Sequence, residues 1–276
     1  MKMKSEQASF YRENGYLVVP NLLTAAEVVE LKQEATQIFR GRRGHVDGLL
    51  EVEALDDTEV LRKYLAIHFP HKISPLIGQY LAHSGITGIL KQIIGPNVKC
   101  MQSMLFVKGP GKAGQSWHQD EYYIPTRDRS LTAAWIALDD ATVQSGCLWI
   151  VPGSQQAGTI MRRVPGQSSE FAELETVDVS AFGSDRTIPV EVQAGAVVFF
   201  NGYTLHSSRR NKTSDRFRMA LVNHYMSAES MLPWDQDGKM TLTEDLRDIV
   251  MVAGVDPYAW KGRVDVNKPF LRPEAR

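Results

Sequence analysis

Val98-Lys99-Cys100-Met101-Gln102-Ser103-Met104-Leu105-Phe106-Val107 is the stretch on which the fold turns. It is rich in β-branched, aromatic and aliphatic residues and reads as a strand. Similar runs follow at Leu131–Leu138, Cys147–Val151, Val190–Val192, Ala196–Phe200 and Phe217–Met226, separated by Gly, Pro, Asp and Asn turns. Short strands at that spacing predict an antiparallel sandwich or barrel. The segment Gly158–Arg186 lacks periodicity and reads as an insertion between strands, the kind that often acts as a lid.

Upstream the pattern is helical. From Ser5 to about Arg40 it is broken only by the apolar run Tyr16–Val19 before Pro20. Thr24 with Glu27 makes a capping box, Leu23 with Val28 a hydrophobic staple, and Val28, Leu31, Ala35 and Ile38 repeat at helical spacing. Asp47–Asp57 reads as an acidic surface loop. Leu76–Ile94 predicts one or two helices closed by Gly95 and Pro96. Downstream, a last helix is expected over Thr243–Val252 and an irregular tail over Asp256–Arg276. No internal repeat or linker divides the chain. The expectation is one domain over 1–276: a helical buttress over about 5–95, a β core over about 98–226, and a C-terminal helix and tail over 227–276.

Composition narrows the function. With 43% hydrophobic and 23% charged residues in 276, the chain is an ordinary globular protein. Lys and Arg number 31 against 32 Asp and Glu, a net charge of −1, which disfavours nucleic acid and anionic membranes as partners. Cys100 and Cys147 lack CxxC spacing, so neither a disulfide scaffold nor a thiolate zinc site is expected. No signal peptide, membrane-spanning run or peroxisomal address is evident, and a cytoplasmic location is expected.

Chemistry concentrates at Trp117-His118-Gln119-Asp120 and at His206. On a strand, His118 and Asp120 point to one side and offer an imidazole and a carboxylate to one ion. His206, following another strand, supplies a third ligand. Two His and one carboxylate on one face leave positions open, the arrangement of non-haem Fe(II) oxygenases. An HxD tripeptide alone is common, and a lone strand His is usually structural. Arg218 adds weight, because it shares a strand face with Ala220, Val222 and His224, and a guanidinium in an apolar run needs an anion.

With these residues in view, the chain resembles the phytanoyl-CoA dioxygenase family of iron(II)- and 2-oxoglutarate-dependent oxygenases. The resemblance runs from Phe10-Tyr11-Arg12-Glu13-Asn14-Gly15-Tyr16 to about Tyr225. It is strongest at Gln102-Ser103-Met104, Trp117 to Asp120, Ala134 to Ala141, Gln144 to Trp149, Val151 to Ser154, and His206 to Arg218. It implies a mainly β fold with flanking helices, a double-stranded β-helix or cupin-like jelly roll. It implies iron ligation by His118, Asp120 and His206, and 2-oxoglutarate bound by Arg218 rather than Arg216. Ser208, Trp135, Met104 and Gln102 would surround the cosubstrate, with Lys63 as a further carboxylate contact. Oxygen and 2-oxoglutarate would be consumed to carbon dioxide and succinate while a small or medium organic substrate is hydroxylated. A carboxylate at Asp120, where related halogenases have a small residue, argues against halogenation.

Other signals are weighed against plainer readings. Gly109–Ser116 fails phosphate-loop spacing and reads as the loop that delivers His118. Trp117, Tyr122 and Tyr123 are candidates for a substrate wall or for core packing. His68 and His71 could face the substrate, although histidines beside an aromatic are more often structural or at the surface. His224 shares a face with Arg218 and could approach the site, against the plainer reading of a core histidine. Arg162 and Arg163 read as solvated or facing an acidic substrate. The rival functions are a noncatalytic jelly roll that binds a small molecule and a cupin-type metal-dependent hydrolase or isomerase. Neither needs His118, Asp120, His206 and Arg218 together. Oligomeric state is not legible.

Overall fold

The computed structural model describes residues 2–50, 52–166, 168–183, 186–230 and 247–272. Helix α1 (Ser5–Asn14) leads into strand β1 (Tyr16–Val19). Helix α2 (Ala25–Phe39) starts at the expected box: Thr24 Oγ1 accepts from the Glu27 amide at 3.3 Å, and the Thr24 amide donates to Glu27 Oε2 at 2.7 Å. Such a cap is worth about 1 kcal/mol. Its Val28, Leu31, Ala35 and Ile38 are buried. After α3 (Asp57–Lys63) and β2 (Ala66–His68), the Leu76–Ile94 stretch forms two helices, α4 (Pro75–Leu81) and α5 (Ser84–Ile93). Ser74 caps α4 by accepting from the Ile77 amide at 3.1 Å.

The β region comprises β3 (Val98–Lys108), β4 (Thr132–Ala137), β5 (Leu148–Ile150), β6 (Arg163–Pro165), β7 (Glu175–Val177), β8 (Ile188–Val190), β9 (Val197–Asn201), β10 (His206–Ser208), β11 (Arg218–Ser227), β12 (Val250–Ala253) and β13 (Phe270–Leu271). The larger sheet has the order β1-β9-β4-β11-β3-β2-β13, with β12 also on β3; the smaller is β10-β5-β8. Every named pair is antiparallel. This is the jelly-roll arrangement of two facing sheets.

Strands β4 and β11 are buried along their whole length because the larger sheet is covered on both faces. One face, with Leu105, Ile136, Phe199 and Leu221, packs on α2, α4 and α5. The other, with Met104, Trp135, Val198, Phe200 and Val222, meets Leu148 and Ile150 of β5 and Val190 of β8. The barrel interior lies between the sheets, and the inward residues of β3, β4 and β11 form its floor.

Three expectations are corrected. The expected Val190–Val192 strand ends at Val190, and Val192 makes only an isolated bridge to Ala141. The expected Thr243–Val252 helix falls partly on 243–246, outside the described residues. Its end, from Val250, is strand β12, because the edge of β3 offers backbone partners to an apolar run whose periodicity fits either structure. The tail contributes β13, with Phe270 opposite His68 and Leu271 opposite Ile67.

Candidate metal and dicarboxylate site

His118 arrives on the loop after β3, which lies directly against β10. A Cβ at Gly114 would sit 1.7 Å from the Ser208 carbonyl oxygen, so only glycine allows that approach. His118 is not on a regular strand as expected. It forms an isolated bridge with His206, exchanging hydrogen bonds of 3.0 and 3.1 Å, and Asp120 opens a 3-10 turn (Asp120–Tyr122). The bridge extends the smaller sheet and turns both imidazoles inward. The flanking Trp117 and Leu205 face the opposite way.

His118, Asp120 and His206 are the one group of three such residues among the described residues whose ligand atoms all lie within 4.8 Å of one another, and all three are buried. Each imidazole Nε2 lies 3.6 Å from Asp120 Oδ1. His118 Nδ1 contacts the Ser116 carbonyl at 2.6 Å and His206 Nδ1 the Thr204 carbonyl at 3.0 Å. A carbonyl only accepts, so each Nδ1 carries the hydrogen and each Nε2 keeps its lone pair, the tautomer a metal requires. Burial holds the His118 imidazole down to about 3, in its neutral form. Burial raises the Asp120 carboxyl, but His206 and His224 outweigh it and hold the group below the usual carboxylate range. His224 Nε2 lies 3.2 Å from Asp120 Oδ2 and fixes the carboxylate's second oxygen. Gln115 Nε2 donates to His118 Nε2 at 3.0 Å, on the lone pair that a metal would take.

Next to these ligands are two buried cations. Arg218 and Lys108 are paired across β11 and β3. The guanidinium lies over the Trp135 ring at 5.4 Å, and its Nε has no hydrogen-bond partner among the described residues. Lys108 Nζ donates to Ser208 Oγ at 2.9 Å and to the carbonyls of Arg209 at 2.7 Å and Gly146 at 3.3 Å. Burial lowers both pKa values, Arg218 to about 10 and Lys108 well below its ordinary value, the latter helped by Arg218. Neither has a carboxylate in ion-pair contact among the described residues. Together they make a receptor for a dianion or one end of a diacid.

Two cavities flank Asp120. The first, of about 70 Å³, is lined by Met104, Lys108, Trp135, Ser208 and Arg218. The second, of about 270 Å³, is lined by His68, Phe69, Gln102, Tyr123, Phe270 and Arg272. Met104, Gln115, Asp120, His224 and Arg272 belong to both.

Of the residues singled out in the sequence, Met104, Trp135, Ser208 and Arg218 lie together beside the ligands. Gln102 lines the second cavity instead, with Nε2 3.2 Å from His68 Nδ1. Tyr123 also lines it, whereas Tyr122 is 52% exposed and lines neither. Trp117 is buried with Val151, Val177 and Leu205 beneath the insertion, on the side of the bridge away from the site. Lys63 is a correction: α3 buries Val60 and Leu61, while Lys63 is exposed in the last turn, where its charge suits the helix C-terminus. Arg216 is exposed in the turn before β11.

Sequence reasoning missed Lys108, Gln115, Glu173 and Arg272, and discounted His68 and His224. Lys108 was findable by the argument that found Arg218, a cation in an apolar strand. Arg272 gave no signal, since its place depends on β13.

A family model described as Phytanoyl-CoA dioxygenase (PhyH) matches residues 11–220. Phytanoyl-CoA dioxygenase 1 of Oryza sativa subsp. japonica is 27% identical, over 82% of this chain and 90% of the relative. A phytanoyl-CoA dioxygenase domain-containing protein 1 of Danio rerio is 30% identical, over 86% and 94%. Among solved structures, the non-heme alpha ketoglutarate dependent carbocyclase SnoK from nogalamycin biosynthesis is similar at a TM-score of 0.68 and 27% identity, covering 91% of this chain and 97% of that one.

Proposed function

Because the chain belongs to the phytanoyl-CoA dioxygenase family, whose members are iron(II)- and 2-oxoglutarate-dependent oxygenases, we propose that it hydroxylates a small or medium organic substrate, with His118, Asp120 and His206 holding the iron. The donor set fits that ion: two imidazoles whose Nδ1 atoms are held by backbone carbonyls, so that Nε2 faces the carboxylate, would hold it with Asp120 and leave positions open for cosubstrate and oxygen. When bound, iron(II) supplies the redox chemistry that consumes oxygen and 2-oxoglutarate to carbon dioxide and succinate and delivers one oxygen atom to a C–H bond.

The residues of the chain do the rest. Arg218, beside Lys108 and Ser208, binds the distal carboxylate of 2-oxoglutarate, and Trp135 packs against the guanidinium. Met104, at the junction of the cavities, separates cosubstrate from substrate. His224 orients Asp120 through its second oxygen. Gln115 holds His118 Nε2 at 3.0 Å and would release it to a bound metal. Asp120 occupies the position that a halide would need, which supports hydroxylation over halogenation. The whole chain acts as one oxygenase domain, since α2, α4 and α5 share a core with β3, β4 and β11. Two free, buried cysteines support a reducing, cytosolic location. No described helix is long and apolar enough to cross a membrane.

The observation that carries this reading is the buried guanidinium of Arg218, without an ion-pair partner among the described residues, beside the two-His, one-carboxylate cluster. A hydrolase of cupin type has no use for it. The test is succinate release from 2-oxoglutarate by the purified protein. Release that requires iron(II) and oxygen is expected, slow without the primary substrate. Failure of the metal-loaded protein to bind 2-oxoglutarate under anaerobic conditions would refute the reading.

A further inference from the structure

The second cavity carries information about what the enzyme oxidises. Its walls are mostly apolar and aromatic: Phe69, Ile124, Phe270 and Met104, with Tyr123. Two donors face this chamber without protein partners for all of their hydrogens. His68 stacks on Phe270, with ring centroids 4.4 Å apart and planes at 11°. Burial and the neighbouring Arg272 charge hold its imidazole down to about 3, so it is neutral. The Gln102 carboxamide donates to Nδ1 at 3.2 Å, which puts the ring hydrogen on Nε2, and that N–H has no hydrogen-bond partner among the described residues.

The second donor is Arg272, brought in by β13 from beyond the stretch that the family model matches. Its guanidinium donates from Nη1 to Gln115 Oε1 at 3.1 Å and from Nη2 to Glu173. Glu173 is itself held by the Ser116 amide at 2.8 Å. The Nε–H of Arg272 is left without a partner among the described residues.

An N–H of a neutral imidazole and the remaining Nε–H of a guanidinium, set beside apolar walls, match one acceptor-rich group of single negative charge. A neutral apolar substrate would strip water from both donors and replace it with nothing. A phosphate dianion or the phosphates of coenzyme A would meet Glu173, which already pairs with Nη2 of the same guanidinium. A cationic substrate would meet Arg272 itself.

We propose that the second cavity binds a free monocarboxylic acid with an apolar or aryl body, its carboxylate held by His68 Nε2–H and Arg272 and its hydrocarbon part lying along Phe69, Phe270 and Ile124 toward Asp120. The proposal rests on the oxygenase reading and names its substrate class.

The test uses the protein loaded with Mn(II) and saturating 2-oxoglutarate, titrated calorimetrically with octanoate and with 4-phenylbutanoate, each paired with its primary amide. At least one acid binds tenfold or more tightly than its amide. His68→Phe, which keeps the stack on Phe270, weakens that acid at least tenfold while 2-oxoglutarate binding stays within threefold, and Arg272→Gln weakens the acid at least tenfold. If Arg272→Gln does not fold, because Glu173 loses its partner, His68→Phe alone decides. Equal binding of acid and amide, an unchanged His68→Phe, or binding of neither acid, with 2-oxoglutarate still bound, overturns the assignment and leaves the oxygenase reading standing. Loss of 2-oxoglutarate binding in the parent protein overturns both.

Discussion

Replacing Arg218 with methionine separates what the residue does for the fold from what it does for the cosubstrate. Burial takes the guanidinium from 12.5 to about 10. At about 1.4 kcal/mol per tenfold step in proton affinity, holding it charged costs the folded protein about 3 kcal/mol. The folded value lies below the unfolded one, so the unfolded chain keeps the charge more readily, and this cost is present across the neutral range. Methionine removes the charge and gives up some packing on Trp135, which returns about 1 kcal/mol of that gain. Free of metal and 2-oxoglutarate, Arg218→Met should be more stable than the parent by about 1–2 kcal/mol, a rise of roughly 2–8 °C in Tm for a chain of this size. With Mn(II) present the order reverses. At a hundred times its Kd, 2-oxoglutarate adds about 2.7 kcal/mol to the parent. The variant loses charge-assisted hydrogen bonds worth about 1.5–3 kcal/mol each, so its affinity falls about a hundredfold and the added stability drops to about 0.4 kcal/mol. Calorimetric unfolding of both proteins, with and without 2-oxoglutarate, reads both effects. A variant that is less stable when empty and still shifts with 2-oxoglutarate as the parent does would refute the electrostatic account of this site.

Asp120→Ala should leave a folded protein, abolish succinate release and remove stoichiometric Mn(II) binding, as read by electron paramagnetic resonance; turnover near the parent level would end the ligand assignment. Gly114→Ala places a methyl on the Ser208 carbonyl, so it should lose at least about 2 kcal/mol in urea unfolding and weaken metal binding as the His118 loop lifts from β10. Lys63→Ala should keep 2-oxoglutarate affinity within twofold, and a tenfold loss would restore it to the site. His71 is held down to about 4 by burial and by Lys72, so it supports the fold above pH 6.5 and loses that support as pH falls toward 4. Between those values it contributes at most about 3 kcal/mol of acid destabilisation, and His71→Gln should flatten the pH dependence of urea unfolding in that window by a comparable amount.

Most of the strands were legible because apolar runs bounded by Gly, Pro and Asp have one reading when several recur at short spacing. The α2 boundary was legible to the residue, since Thr24 and Glu27 carry their own hydrogen-bond pattern. Arg218 stood out because a cation is out of place in an apolar strand. Lys108 obeys the same logic, but it ends its strand, where a lysine looks like a solvated turn. What escaped depends on pairing between distant segments. Val250–Ala253 becomes a strand because β3 has a free edge, and Phe270 and Arg272 reach the cavity because β13 joins β2. Trp117 could not be assigned to wall or core until the bridge between His118 and His206 fixed which side each residue takes.

The pairing around that bridge has an evolutionary consequence. The two imidazoles are clipped backbone to backbone, and the chain between them carries β4, β5, β8 and β9 of the two sheets. The ribbon of β6 and β7 leaves the barrel between the paired strands β5 and β8, so it is a loop whose ends are already tied. Doubling the length of such a loop adds only about 0.6 kcal/mol of closure entropy. That ribbon, which carries Glu173 to Arg272 at the wall of the second cavity, can therefore be lengthened, shortened or exchanged with little penalty to the barrel, which lets one scaffold acquire new molecular tastes while its chemistry stays fixed.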